Sequence, residues 1–297
     1  MTRSKTSLRN SVRRALSLAL AALLVSGCTY PANPTFKKQE IVKAIQDICK
    51  KEYKIDARVF LAGRTLWVYV PLEIDMFQKA DKPEKVPERF SVEQNKAELL
   101  NDLIKLDYSI KPVEEKMLTQ EYKFNKDFLE NNTHAWSVIR RVLFSMERLE
   151  NNEELQFLCL ITADIKAGAE TVEIAYQPDL KKASYGLLSL GEYQHRAIYD
   201  MIVDPQIIGD KEGRHLNFKD LTLREFVVGQ IQNRIRLKFQ RPEVEAGADV
   251  DKEITKVIIY VIKTYNFKDF SAAELNNLLT RNKVFLNRAA IWETPIE

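Results

Sequence analysis

The chain has 297 residues with 45 basic and 42 acidic side chains, a formal net charge of +3, and three cysteines. Charges this balanced give no strong positive field, so nucleic-acid binding, which rests on a clustered basic surface, is not expected. Three cysteines in so long a chain make no disulfide scaffold, and the length suffices for a hydrophobic core in one large or two to three small domains.

At the N-terminus Arg3, Lys5, Arg9, Arg13 and Arg14 precede an apolar run from Ala15 to Val25, interrupted only by Ser17. The run is shorter than the about 20 apolar residues a membrane span needs. A basic region, a short apolar region and small residues after it describe a secretory signal peptide over residues 1–27. Removing it takes five basic and no acidic residues from the 45 and 42, which leaves a formal charge of −2.

The apolar run ends in Leu24-Val25-Ser26-Gly27-Cys28. This resembles the lipobox of bacterial lipoproteins, in which a branched aliphatic and two small residues precede the cysteine that is acylated. The resemblance implies cleavage between Gly27 and Cys28, lipid on Cys28, and membrane attachment through that lipid. Thr29 in place of aspartate implies the periplasmic face of the outer membrane if the organism has two membranes. Residues 28–37, with Pro31 and Pro34 and no apolar periodicity, read as a tether of at most about 30 Å.

The rest of the chain suggests one pattern three times: helix, two strands, capped second helix. In residues 38–113, Ile41, Ala44, Ile45, Ile48 and Cys49 form a helical stripe. Alternating runs Ile55–Leu61 and Leu66–Leu72 flank the turn Ala62-Gly63-Arg64 and predict a hairpin. Ser91-Val92-Glu93-Gln94 has the capping-box pattern of a helix start, with a helix through Leu100, Leu103 and Ile104, then a strand at Leu106, Tyr108 and Ile110. Residues 114–132 read as a linker.

In residues 133–210, Trp136, Ile139, Leu143 and Met146 mark a helix, and 155–162 and 171–176 mark two strands. A second box at Ser189 opens a helix to about Met201. In residues 211–297, Thr222 caps a helix that gives way to a strand at Ile235, Leu237 and Phe239. Residues 254–263, apolar and β-branched, read as its partner strand, and Ser271 opens another helix. The fold expected is α+β, as tandem αββα(β) modules. That element order is similar to the ring-building modules of secretion-system and sporulation assemblies, a fold-level likeness that transfers no residue roles.

Catalytic patterns are sparse. The three histidines are His134, His195 and His215, and there is no G-x-S-x-G, H-E-x-x-H, P-loop, C-x-x-C or dinucleotide fingerprint. Glu192-x-x-His195 has the spacing of a carboxylate-bridged metal site, but such sites need two copies and Glu192 already serves a cap. No metal site, cofactor or enzymatic activity is expected. Cys49 and Cys159 read as buried small hydrophobes, with pairing the alternative. Arg234, Arg236 and Lys238 alternate with apolar residues and read as a solvated strand face, or one that meets lipid phosphates or an anionic glycan.

Several strands are apolar on both sides. Phe60, Trp67 and Tyr69 point away from the face assigned to the helices and need a cover, either another part of the chain or a protein partner. The reading is a membrane-anchored envelope lipoprotein with a non-enzymatic assembly or interaction role. The alternative is a lipoprotein that binds a lipid, glycan or small solute.

Overall fold

The computed structural model describes residues 35–146, 154–240 and 244–295. The signal segment, the Gly27-Cys28 junction and most of the tether lie outside them. The described chain is α+β on two mixed sheets.

Helix α1 (Ile41–Tyr53) buries Ile41, Ile45 and Cys49, and ends at Lys54, whose left-handed backbone turns its N–H onto the Cys49 carbonyl. Strands β1 (Arg58–Ala62) and β2 (Thr65–Leu72) form the expected hairpin around Gly63, whose φ of +56° suits glycine. Helix α2 (Lys126–Phe144), capped by Asn125, is followed by β5 (Phe157–Asp164) and β6 (Ala169–Tyr176). Two short helices, α3 (Gln177–Ser184) and α4 (Leu190–Arg196), then lead to β7 (Ile198–Val203).

The first sheet runs β1-β2-β5-β6-β7, with β2 and β5 parallel and the other neighbours antiparallel. All eight residues of β5 are buried, as a strand covered on both faces requires. One face puts Leu66, Val68, Leu158 and Leu160 against α1 and α2. The other puts Trp67, Tyr69, Phe157 and Ile161 against Ile207, Leu221 and Phe226.

The second sheet begins inside the first. Strands β3 (Phe77–Leu100) and β4 (Leu103–Phe124) form one long hairpin inserted between β2 and α2. Its turn is Asn101-Asp102, both at positive φ, the twist-matched geometry that asparagine and aspartate tolerate. The sheet is completed far downstream by β8 (Ala272–Asn277), parallel to β4, and β9 (Lys283–Asn287), ahead of the short α7 (Arg288–Glu293). Helices α5 (Leu223–Gln240) and α6 (Val250–Thr264) cover it, packing Val227, Ile231, Ile254 and Ile258 on Ile104, Leu106, Tyr108 and Ile110. Helix α5 serves both cores, since its Phe226 belongs to the first.

A threefold αββα(β) order is not confirmed. Ser91 lies within β3 and Ser271 immediately precedes β8, so neither opens a helix; residues 235–239 and 254–263 are helical, so neither is a strand. Arg234, Arg236 and Lys238 accordingly do not share a strand face. The helix expected to reach Met201 stops at Arg196, where β7 takes over. Boundaries at 113, 132 and 210 do not separate the sheets, because the first draws strands from 58–72 and 157–203 and the second from 77–124 and 272–287. No helix among the described residues is long and apolar enough to cross a membrane.

Candidate functional site

The apolar face carrying Phe60, Trp67 and Tyr69 is covered by the chain itself. The segment between β7 and α5 lays Phe218 on Phe60, with ring centroids 4.0 Å apart. Trp67 Nε1 donates to the Lys219 carbonyl at 2.9 Å and Tyr69 Oη to the Asp210 carbonyl at 2.6 Å. Gly213 lets the cover come this close: a Cβ there would stand 3.1 Å from both Phe218 and Tyr69. Of the two covers the sequence left open, the structure has the internal one, and these three residues do not form a free interaction face.

A histidine clamps the same cover to β6. His215 Nδ1 lies 2.6 Å from Asp210 Oδ2 and Nε2 lies 2.9 Å from Glu170 Oε2, all three side chains being nearly buried. Burial alone would lower the imidazole pKa, but hydrogen bonds to the two carboxylates outweigh it and hold the ring above its ordinary value. Asp210 is desolvated too, yet its bonds to His215 and nearby backbone N–H groups bring it down to about 2. Burial pushes Glu170 upward. With both nitrogens facing carboxylates, the ring has no lone pair aimed at a substrate, so this triad staples a loop rather than abstracting a proton. Nothing in the spacing of Glu170, Asp210 and His215 foretold it, since β6 and the cover meet only in the fold.

The other sequence candidates come apart. Glu192 caps nothing reciprocally, though its own N–H donates to the Ser189 Oγ cap at 3.1 Å. Its carboxylate instead bonds Arg196 at 2.8 Å and receives the Tyr260 hydroxyl, within a network that ties α4 to α6. His195 faces a groove with Gln194, Tyr199 and Leu237. His134 stacks on Tyr53 with centroids 4.3 Å apart. Among the described residues no group of three or more His, Cys, Asp or Glu is arranged to hold a metal ion. Cys49 and Cys159 are free and buried, on opposite faces of the first sheet. Burial pushes the Cys49 thiol up to about 11 and raises Cys159 as well, which keeps both unreactive.

What stands out instead is the basal half of the β3–β4 hairpin. From Phe77 to Arg89 and from Lys111 to Phe124 no residue is buried, although Phe77–Lys79 pair with Tyr122–Phe124 and Glu84–Glu88 with Lys116–Gln120, with register shifts between these stretches. Its root is fixed: Met76 N donates to Asp164 Oδ2 at 2.9 Å and Asn125 N to the Met76 carbonyl at 2.8 Å. Cross-strand ion pairs Arg89–Glu115, Lys116–Glu88 and Lys123–Asp81, at 2.8–3.0 Å, give modest support.

The two faces of this ribbon differ. Successive side chains of a strand point to opposite sides, so Lys116, Leu118, Gln120, Tyr122 and Phe124 share one face of β4. Pairings Phe77↔Phe124, Lys79↔Tyr122 and Val86↔Leu118 bring Phe77, Lys79 and Val86 to it. On that face Tyr122, 65% exposed, and Leu118, 43% exposed, stand with Phe77, Phe124 and Val86 among Lys79, Glu84, Glu88, Lys116 and Gln120. The other face carries Lys123, Glu121, Thr119 and Glu115 around Met117. The strand edges are poor templates for strand addition, because Pro83, Pro87 and Pro112 lack N–H donors. The sequence hid the ribbon, since 114–132 read as a linker.

No protein-family model matches this chain, and no curated protein or solved structure matches it, so the functional reading rests on the residues themselves.

Proposed function

We propose that this is an exported lipoprotein, acylated on Cys28 and attached to the envelope membrane, whose globular part engages a protein partner without chemistry of its own. The carrying observation is the ribbon: two strands held out in solvent, paired over two short stretches with a break between them, present Phe77, Leu118, Tyr122 and Phe124 on one side. An isolated two-stranded ribbon is marginal in water, and exposed aromatic residues among charges of both signs fit the anatomy of a protein interface. Its edges discourage strand pairing, so the partner meets the face. The histidine triad supports a binding role over an enzymatic one, because its nitrogens are committed to structure.

Support for the anchor comes from the basic and apolar N-terminal regions followed by Val25-Ser26-Gly27-Cys28, and the outer membrane is the expected address in a two-membrane organism. Two measurements test the whole. Intact mass of the envelope-extracted protein should begin at Cys28 and carry diacylglyceryl or triacyl mass. The complex containing the wild-type chain should exceed the monomer in native size, and Leu118→Ser with Tyr122→Ser should reduce it to the monomer. A mature N-terminus elsewhere removes the anchor; a complex indifferent to the double variant removes the interface.

A further inference from the structure

We infer that a second apolar surface, the corner formed by the α3–α4 loop and the C-terminal end of α2, rests on the lipid bilayer beside the anchor. This inference deepens the lipoprotein reading and relies on it for the tether. The loop exposes Tyr185, Leu187 and Leu190 at 70%, 78% and 70%. It is not a loose loop. Gly186, at φ +70°, allows the chain to fold back, so that the Leu187 and Leu188 N–H groups donate to the Lys182 carbonyl at 2.8 and 3.2 Å. Leu188 turns inward onto the first core while its neighbours face out. Such a held tip presents large side chains to solvent without losing them to a local collapse.

The occupant is identified by where the chain begins. Tyr185 makes an edge-on contact with Phe144, also exposed, at a centroid distance of 6.0 Å. The next residue, Ser145, accepts through its carbonyl from the N–H groups of Thr35 and Phe36 at 2.8 and 3.2 Å, and Phe36 bridges Met146. The tether therefore enters the globular part at the same corner. Only residues 29–34 separate Thr35 from the lipid-bearing Cys28, a reach of about 23 Å even fully extended. Exposed aromatic and aliphatic side chains held that near an acyl anchor have the bilayer interface as their nearest apolar medium.

The contact is apolar rather than electrostatic. The lysines flanking the loop are partnered by acids, Lys182 by Asp179 at 3.8 Å and Lys181 by Glu154 at 3.9 Å. Docking should therefore occur on zwitterionic phosphatidylcholine, which has no net charge, and persist in high salt.

The test labels the full chain with an environment-sensitive fluorophore at Leu187→Cys, or at Leu278→Cys as a control on the second sheet, where Leu278 is 45% exposed. Cys49 and Cys159 are buried, so once Cys28 is acylated or, in protein without lipid, replaced by serine, the introduced thiol is the one labelled. Each sample is reconstituted in phosphatidylcholine vesicles, and intact mass reports the lipid on Cys28 and the number of labels. The expected result is a blue-shifted emission at 187, quenched severalfold by a lipid-borne quencher and unchanged in high salt, with aqueous emission at 278. If Cys28 carries lipid and the 187 probe matches the 278 probe, the docking inference is overturned while the anchor stands. A blue shift that lipid-borne quencher does not touch means that a second copy or another protein covers the corner, and also overturns it. Lipid contact at 187 without lipid on Cys28 upholds the docking and removes the anchor.

Discussion

The ring of Phe218 lies on that of Phe60 with the planes 22° from parallel, and its edge meets Trp67 at 5.9 Å between centroids. Phe218 thus joins Ile207 and Leu221 in sealing this face of the first sheet against water. Trp67→Ala should cost about 3–5 kcal/mol, the usual loss for deleting a buried aromatic, and Phe218→Ala should fall at the lower end. Urea denaturation measures both. Neither variant should alter the size of the native complex at temperatures where it stays folded.

Removing His215 should show what the triad does. A folded-state pKa above the ordinary His value means that the native state holds its proton more tightly. The resulting stability is complete below about pH 6.5, the unfolded value, and is lost as pH rises through the higher folded value. His215→Ala should cost about 3–5 kcal/mol near pH 6, as for a buried charge pair broken on one side, and visibly less once the pH has passed the folded value. A pH-independent loss would mean that the ring acts only by filling space.

Glu173 offers a second titration. Its carboxylate accepts from Trp136 Nε1 at 2.7 Å and the Tyr199 hydroxyl at 3.0 Å, yet burial outweighs these bonds and pushes it up to about 7. A raised acid binds more protons folded than unfolded, so stability should fall as pH climbs from about 4.5 to 7, by no more than about 3 kcal/mol. Glu173→Gln should flatten that part of the profile while His215 still titrates.

The ribbon should behave in the opposite way to the sealed face. Leu118→Ser and Tyr122→Ser remove exposed side chains, for which changes within about 0.5 kcal/mol are usual, while an aromatic anchor in an interface is worth about 2 kcal/mol or more. Thermal unfolding beside native complex size separates the two quantities.

Elements whose local pattern agreed with their tertiary surroundings were legible. The stripe of α1, the glycine turn between β1 and β2, the helix at Trp136 and the strands β5 and β6 all appear where their periods put them. The third unit misled because two periods coexist in it. Ile235, Leu237 and Phe239 alternate, but Val227, Ile231, Ile235 and Phe239 recur every four residues and are the ones buried. Ile254, Val257, Ile258, Val261 and Ile262 likewise keep the helical spacing beneath a β-branched composition. Ser91 and Ser271 failed for another reason. Their box pattern is local, whereas β4 lies between β3 and β8 and claims both as strands; tertiary pairing overrides so short a signal. The ribbon and the triad were invisible because each exists only through residues far apart in sequence.

The interleaving of the two sheets also dictates an order of arrival. When Val203 has been synthesised, every strand of the first sheet exists, but the segment that seals its second face does not. The hairpin β3–β4 waits longer, since β8 begins only at Ala272 and the helices that cover it start at Leu223. For most of its synthesis the chain therefore carries sticky, half-dressed strands, the condition in which nascent proteins aggregate. Long-range closures of this kind are slow. The last quarter of the chain is thus a closing latch for the second sheet: a truncation there should leave β3 and β4 without β8 and their covering helices.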